Sequence, residues 1–234
     1  MKGLTSFMPR ELSKQDVRRN PLAVWVGTAL QFGQGRKTLV GAILVGALVA
    51  AAGVGAYGWH QERQERAAQA LFVKAQTALV AVTQGAPVNA EEAKKLYTEI
   101  ADGYPGTVSA EESLIRLGNL QYDGGKTAEA IVTFGRYLTT YPRGRFRVMA
   151  GVGKAYAEET AGDLPAAEKT LSDLLPTVAN DPLAGEAYSS LAHVYEVMKK
   201  PDEAVRVYGQ IADRFAQTHW GQNAVQRMGS LKTK

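Results

Sequence analysis

Residues 117–142 read LGNLQYDGGKTAEAIVTFGRYLTTYP, the clearest copy of a pattern that returns every 37 residues along the C-terminal three-quarters of the chain. Ala93, Ala130, Ala167 and Ala204 are spaced at that interval. Four positions after each stands a large apolar residue: Tyr97, Phe134, Leu171, Tyr208. Three further on come Ile100, Tyr137, Leu174 and Ile211, and four beyond those Tyr104, Tyr141, Val178 and Phe215. Steps of four, three and four place these side chains on one face of a helix. The other half of the unit carries a column of small residues, Gly118, Ala155, Ala192 and Gly229, where a facing helix can approach closely.

The punctuation fits a helical hairpin. Gly124-Gly125, Ala161-Gly162 and Lys200-Pro201 break the chain between the two helices. Asn89, Asp163 and Asp202 stand where they cap or charge the start of the second helix. Each unit buries only one of its faces, so several must stack to make a core. The expected hairpins are 64–103, 109–141, 146–178 and 183–217, with a closing helix at 220–231.

Upstream, Thr38 to Trp59 reads TLVGAILVGALVAAAGVGAYGW, without one charge. As a helix it is ~33 Å long at about 1.5 Å per residue, enough to cross a hydrocarbon core of roughly 30 Å. Arg36 and Lys37 precede it, and Tyr57 and Trp59 stand at its far end, where aromatic rings favour the membrane interface. Residues 1–59 hold seven Lys or Arg against two Asp or Glu, a net of +5; residues 60–234 hold twenty against twenty-one, a net of −1. The charge bias predicts a cytoplasmic basic tail at 1–37, a transmembrane helix at 38–59 and an external domain at 60–234. A cleavable signal peptide, ending near Ala50–Ala52, is the competing reading. The ladders Ala42/Gly46/Ala50 and Ala47/Ala51/Gly55 suit close helix association, or reflect only an Ala- and Gly-rich span. Residues 21–32, PLAVWVGTALQF, are too short to span; they form either an interfacial helix or part of a disordered tail.

That division removes the support for nucleic-acid binding, because the basicity belongs to the tail and not to the repeats. The chain has no cysteine, so disulfides, thiolate nucleophiles and Cys-zinc sites are out. His60, His193 and His219 lack metal-ligand spacing. Gly151-Val152-Gly153-Lys154 imitates a phosphate loop, but Val148 and Ala155 occupy positions that need Gly and Ser or Thr. The pairs Glu91-Glu92 and Glu111-Glu112 fall in first helical turns, where carboxylates offset the helix dipole. No cofactor and no enzymatic activity are expected.

Leu117-Gly118, Gly125, Ala130, Phe134 and Pro142 resemble the tetratricopeptide pattern L-G…A-x3-F…P, whose usual period is about 34 residues. The longer unit, with Tyr-Pro at the junction, is similar to the repeats of bacterial envelope proteins, namely the TolA-binding coordinator of cell division and the lipoprotein of the outer-membrane assembly machine. The order of tail, single anchor and external repeats resembles the ancillary Sec-translocon subunits of the YfgM type. Gln121, where the pattern has Tyr, and Lys154, in the Leu column, depart from it. The resemblance implies an all-α fold: one transmembrane helix, then an α-solenoid of about four tetratricopeptide-like hairpins and a closing helix.

It also implies a concave groove lined by the first helix of each hairpin. Carried over by repeat position, that groove holds Asn119, Tyr156 and His193 in one row. Tyr122, Glu159 and Glu196 make a second, and Glu112, Met149 and Glu186 a third. Aromatic, Met and acidic groups together suit an extended peptide with apolar and basic residues. Ile115 and Val152 stand where the carboxylate-clamp variety carries Lys or Arg, which argues against that ligand. A second expectation is a patch for an anionic partner at Arg136, Arg143, Arg145 and Arg147, the last three at a helix start where cations are disfavoured. The expected function is a membrane-anchored protein-interaction module at the periplasmic face of the inner membrane. Its partners would be the translocon, periplasmic chaperones or envelope complex subunits. The alternative is a structural subunit of a larger envelope complex.

Overall fold

The computed structural model of the chain describes residues 37–80 and 89–232. The expected tail, including residues 21–32, lies outside them. The chain divides into two units, Met1–His60 and Gln61–Lys234. Helix α1 (Lys37–Val80) begins in the first and ends in the second. Its apolar part, long enough to cross a membrane, has side chains exposed all round, as no soluble core helix does.

The second unit is a run of antiparallel helices. After α1 come α2 (Ala90–Gly103), α3 (Val108–Asp123), α4 (Thr127–Thr140), α5 (Arg147–Thr160) and α6 (Leu164–Leu174, extended by a 3₁₀ turn over Leu175–Thr177). Then follow α7 (Ala184–Val197), α8 (Pro201–Arg214) and α9 (His219–Lys232). Every regular element among the described residues is a helix, and each packs on its neighbours in chain order. The bounds lie within a few residues of those read from the period.

Local chemistry accounts for the ends. Asn89 Oδ1 accepts from the Glu92 amide at 3.0 Å while its Nδ2 donates to the Glu92 carboxylate at 2.9 Å, a reciprocal cap on α2. Thr107 and Asp163 cap α3 and α6 through the amides of Ala110 and Ala166. Asp202 serves α8 as first-turn charge, beside Pro201 at the helix start. Within the three later hairpins the turn is made the same way: Gly125, Gly162 and Lys199 each have positive φ, at 73°, 85° and 58°. The following amide in each, Lys126, Asp163 or Lys200, bonds back five residues to Gln121, Glu158 or Tyr195, as in a Schellman motif.

The repeated apolar positions are the core. Ala93, Ala130, Ala167 and Ala204 are fully buried. So, nearly, are Tyr97, Phe134, Leu171 and Tyr208. A Cβ on Gly118 would lie 2.6 Å from the Phe134 ring, and one on Gly153 2.7 Å from the same ring. Phe134 therefore lies between α3 and α5, and glycine on both lets the helices close around it. Gly151 likewise makes room for Leu174. The glycines resembling a phosphate loop are packing residues inside α5. A Cβ on Gly229, the α9 member of the small-residue column, would meet nothing within 4 Å.

Lys154, the odd residue in the Leu column, carries its own compensation. Its Nζ donates to Glu158 Oε1 at 2.6 Å and to Thr170 Oγ1 at 2.8 Å, and Thr170 donates to Glu158 Oε2 at 2.7 Å. A closed polar triad thus replaces an apolar contact in the third hairpin. Gln121 is satisfied in the same way, accepting from the buried Thr133 hydroxyl at 2.7 Å.

Candidate protein-binding face

The first helices of successive hairpins, α3, α5, α7 and finally α9, touch one another along the array. Their outward positions form one continuous face. Asn119, Met149, Tyr156 and His193 are exposed on it, while Glu112, Tyr122, Glu159, Glu186 and Glu196 are half-buried. Exposure of Met149 and Tyr156 is 44% and 39%, large for such side chains in a folded domain with a well-filled core.

The rows are tied sideways from one repeat to the next. Tyr122 Oη shares a hydrogen bond with Thr160 at 3.0 Å, and Ser190 donates to Tyr156 Oη at 3.5 Å. His193 Nε2 lies 3.1 Å from Glu159 Oε1. Trp220 Nε1 donates to Glu186 Oε2 at 3.2 Å. Arg227 grips Glu196 through Nε and Nη2, and Tyr208 Oη donates to the same carboxylate at 2.7 Å. Desolvation pushes the Glu196 carboxyl upward, but these bonds outweigh it and hold the group below its ordinary range. Burial and the bond to Glu196 raise Tyr208 to about 12.

Tyr122, half-buried on the face, also packs against the second hairpin's core cluster. Ile115 and Val152 are buried, so they lie behind the face and decide nothing about a carboxylate clamp. Trp220 and Arg227 complete the face on α9. They stand 37 residues after Leu183 and the buried Ser190, outside the three rows, which continue on α9 as Asn223 and Ser230, so the period alone does not point to them.

Elsewhere, the acid pairs have structural partners. Glu91 bonds to Lys94, Glu92 caps α2, Glu111 accepts from Tyr137 Oη at 2.5 Å, and Glu112 pairs with Arg116. Among the described residues no three His, Cys, Asp or Glu cluster as a metal site would.

The arginines of the expected anionic-partner patch separate into two kinds. Arg136 pairs with Asp102 at 2.7 Å and donates to the Ala101 carbonyl. Arg147 donates to Thr177 Oγ1 at 2.9 Å and to the Pro142 carbonyl at 2.8 Å. Arg136 therefore joins adjacent hairpins, whereas Arg147 ties the start of the third hairpin to its own end and to the junction before it. Arg145 lies 5.9 Å from the Phe146 ring, and Arg143 lines a cleft of about 420 Å³ with Arg147 and the 176–182 segment.

Residues 112–143 match the sequence profile of the tetratricopeptide repeat. No curated protein matches the chain. Among solved structures, the nearly identical TPR-like repeats of a kinesin-light-chain-type protein from Podosopora anserina are similar at 16% identity and a TM-score of 0.54, covering 71% of this chain and 86% of that one. A tetratricopeptide repeat protein from Parabacteroides merdae is similar at 15% identity and TM-score 0.54, over 72% of this chain and 61% of that one. BtubC from P. vanneervenii gives 14% identity and TM-score 0.54, over 74% and 83%. At these identities the likeness is one of fold. The fold is an all-helical tetratricopeptide-type solenoid preceded by one long apolar helix, and it supports a protein–protein interaction module.

Proposed function

We propose that the chain is a membrane-anchored interaction module whose first-helix face binds an extended segment of another protein on the external side of the bacterial inner membrane. The observation that carries it is the open face itself: Asn119, Met149, Tyr156 and His193 are exposed along adjacent helices while the residues behind them fill the core. Exposed aromatic and Met side chains on a rigid scaffold are the groups that anchor partners. The apolar stretch of α1 and the +5 charge of residues 1–59 support an anchor with a cytoplasmic N-terminus. Helping exported proteins or their chaperones is the use that this arrangement suits best. The repeats themselves are near neutral, which favours protein over nucleic acid as partner.

Crosslinking in intact membranes, followed by mass spectrometry, tests this. Recovery of translocon components or periplasmic chaperones supports the export reading. Recovery of one fixed stoichiometric complex supports a structural subunit instead. A reporter enzyme active only in the periplasm, fused after Lys234, should be active; mature protein starting near Gly53 would overturn the anchor.

A further inference from the structure

We infer that the C-terminal end of this face holds a pocket for one basic side chain, lysine or arginine, of the bound segment; the inference rests on the first-helix face being the binding surface. A cavity of about 370 Å³ opens between α7 and α9. Its walls include Glu186, His193, Tyr208, Trp220, Asn223 and Arg227. That volume, at the low end of the range for ligand pockets, is ample for one long side chain.

The charges decide what enters. Arg227 is held by the Glu196 carboxylate, which also takes the Tyr208 hydroxyl. His193 faces the Glu159 carboxylate. Glu186 is different: its partner is the neutral indole N–H of Trp220, and no cation among the described residues pairs with it. The pocket and its immediate supports thus hold three carboxylates, Glu159, Glu186 and Glu196, against one guanidinium. An incoming anion would meet the uncompensated Glu186, whereas an incoming cation completes the pairing.

The aromatic walls point the same way. The rings of His219 and Trp220 lie 4.2 Å apart at a 41° tilt, and Phe215 meets Trp220 edge-on at 6.3 Å, so the indole is held between them. An indole held beside an unneutralised carboxylate receives an ammonium or guanidinium group by cation–π and ionic contact together. The methylene stem of such a side chain would lie along the same rings.

The test uses the full chain in detergent and a positional library of synthetic eight-residue peptides, read by fluorescence polarisation. Peptides with Lys or Arg at the anchoring position should bind at least tenfold more tightly than those with norleucine there. Glu186→Gln keeps an acceptor for Trp220 and should abolish that preference. Asn223→Lys places a resident cation at the pocket and should abolish it too. Glu129→Gln, on α4 and paired with Lys126, should change nothing. Binding without charge preference, or a preference that survives both pocket variants, overturns the pocket and leaves the face reading standing. Failure of every peptide to bind overturns the face reading, and the pocket with it.

Discussion

Glu159 on α5 and His193 on α7, one repeat apart, meet across the face at 3.1 Å between Oε1 and Nε2. The same diagonal recurs as Tyr156 to Ser190 and Glu186 to Trp220, each 34 residues apart. Residues that would touch a partner therefore also join neighbouring repeats. A loss of binding is informative only for those side chains whose removal leaves the array folded.

Tyr156 and Tyr122 differ on this count. Tyr156→Ala should change stability by no more than about 0.5 kcal/mol, as for exposed positions generally. Tyr122→Ala removes packing against the Leu114 and Phe134 cluster together with the bond to Thr160, and should cost ~1–2 kcal/mol. Denaturant midpoints of the two variants check this; equal midpoints would mean that Tyr122 is as open as Tyr156.

Ala130 and Ala128 test the repeat frame. Ala130 is fully buried where α4 meets its neighbours, and Ala128 two positions away is exposed. Ala130→Leu should cost ~1–3 kcal/mol through overpacking, and Ala128→Leu close to nothing. Thermal unfolding separates them.

The period carried most of the fold. Ala93, Ala130, Ala167 and Ala204 fixed the second helices, and the helix bounds followed. What the period could not carry were contacts made by departures from it. The Lys154–Glu158–Thr170 triad joins residues 16 apart, on two helices, in only one repeat. Gly153 yields to Phe134 of the preceding hairpin, a contact between units and not within one. The face residues were placed by repeat position, but their burial was not legible. Tyr122 is half-covered because its hydroxyl reaches Thr160, and Arg136 and Arg147 find partners about 30 residues away.

Lys199 occupies the one turn of three where a side chain sits at positive φ, 58°. Gly125 and Gly162 fill the equivalent places without strain. Lys199→Gly should therefore stabilise the last hairpin by about 1 kcal/mol or somewhat less, after the greater freedom of glycine in the unfolded chain is subtracted. A fall in unfolding midpoint would contradict the Schellman reading of this turn.

The Glu196–Arg227 contact sets an acid dependence. The Glu196 carboxyl is held below its ordinary value in the folded chain, so its contribution is present above the unfolded value of 4.5 and is lost as pH falls through the folded one. Arg227→Ala should lower stability at about pH 7, and the gap from the parent should close as pH falls below 4.5 and through the folded value. Denaturant unfolding across that range reads the sign; a gap that widens in acid would show that Arg227 acts otherwise.

The face itself is tested most directly by a photo-crosslinking amino acid placed at single positions in intact membranes. Met149 and Asn119 lie on the first-helix face, while Val132, more open than Met149 at 71% exposed, lies on second helix α4. Crosslinks to a common partner from Met149 and Asn119, absent from Val132 and lost with Tyr156→Ala, are the predicted result. Crosslinks to that partner from Val132 or Arg143, with none from the first-helix face, would contradict the account.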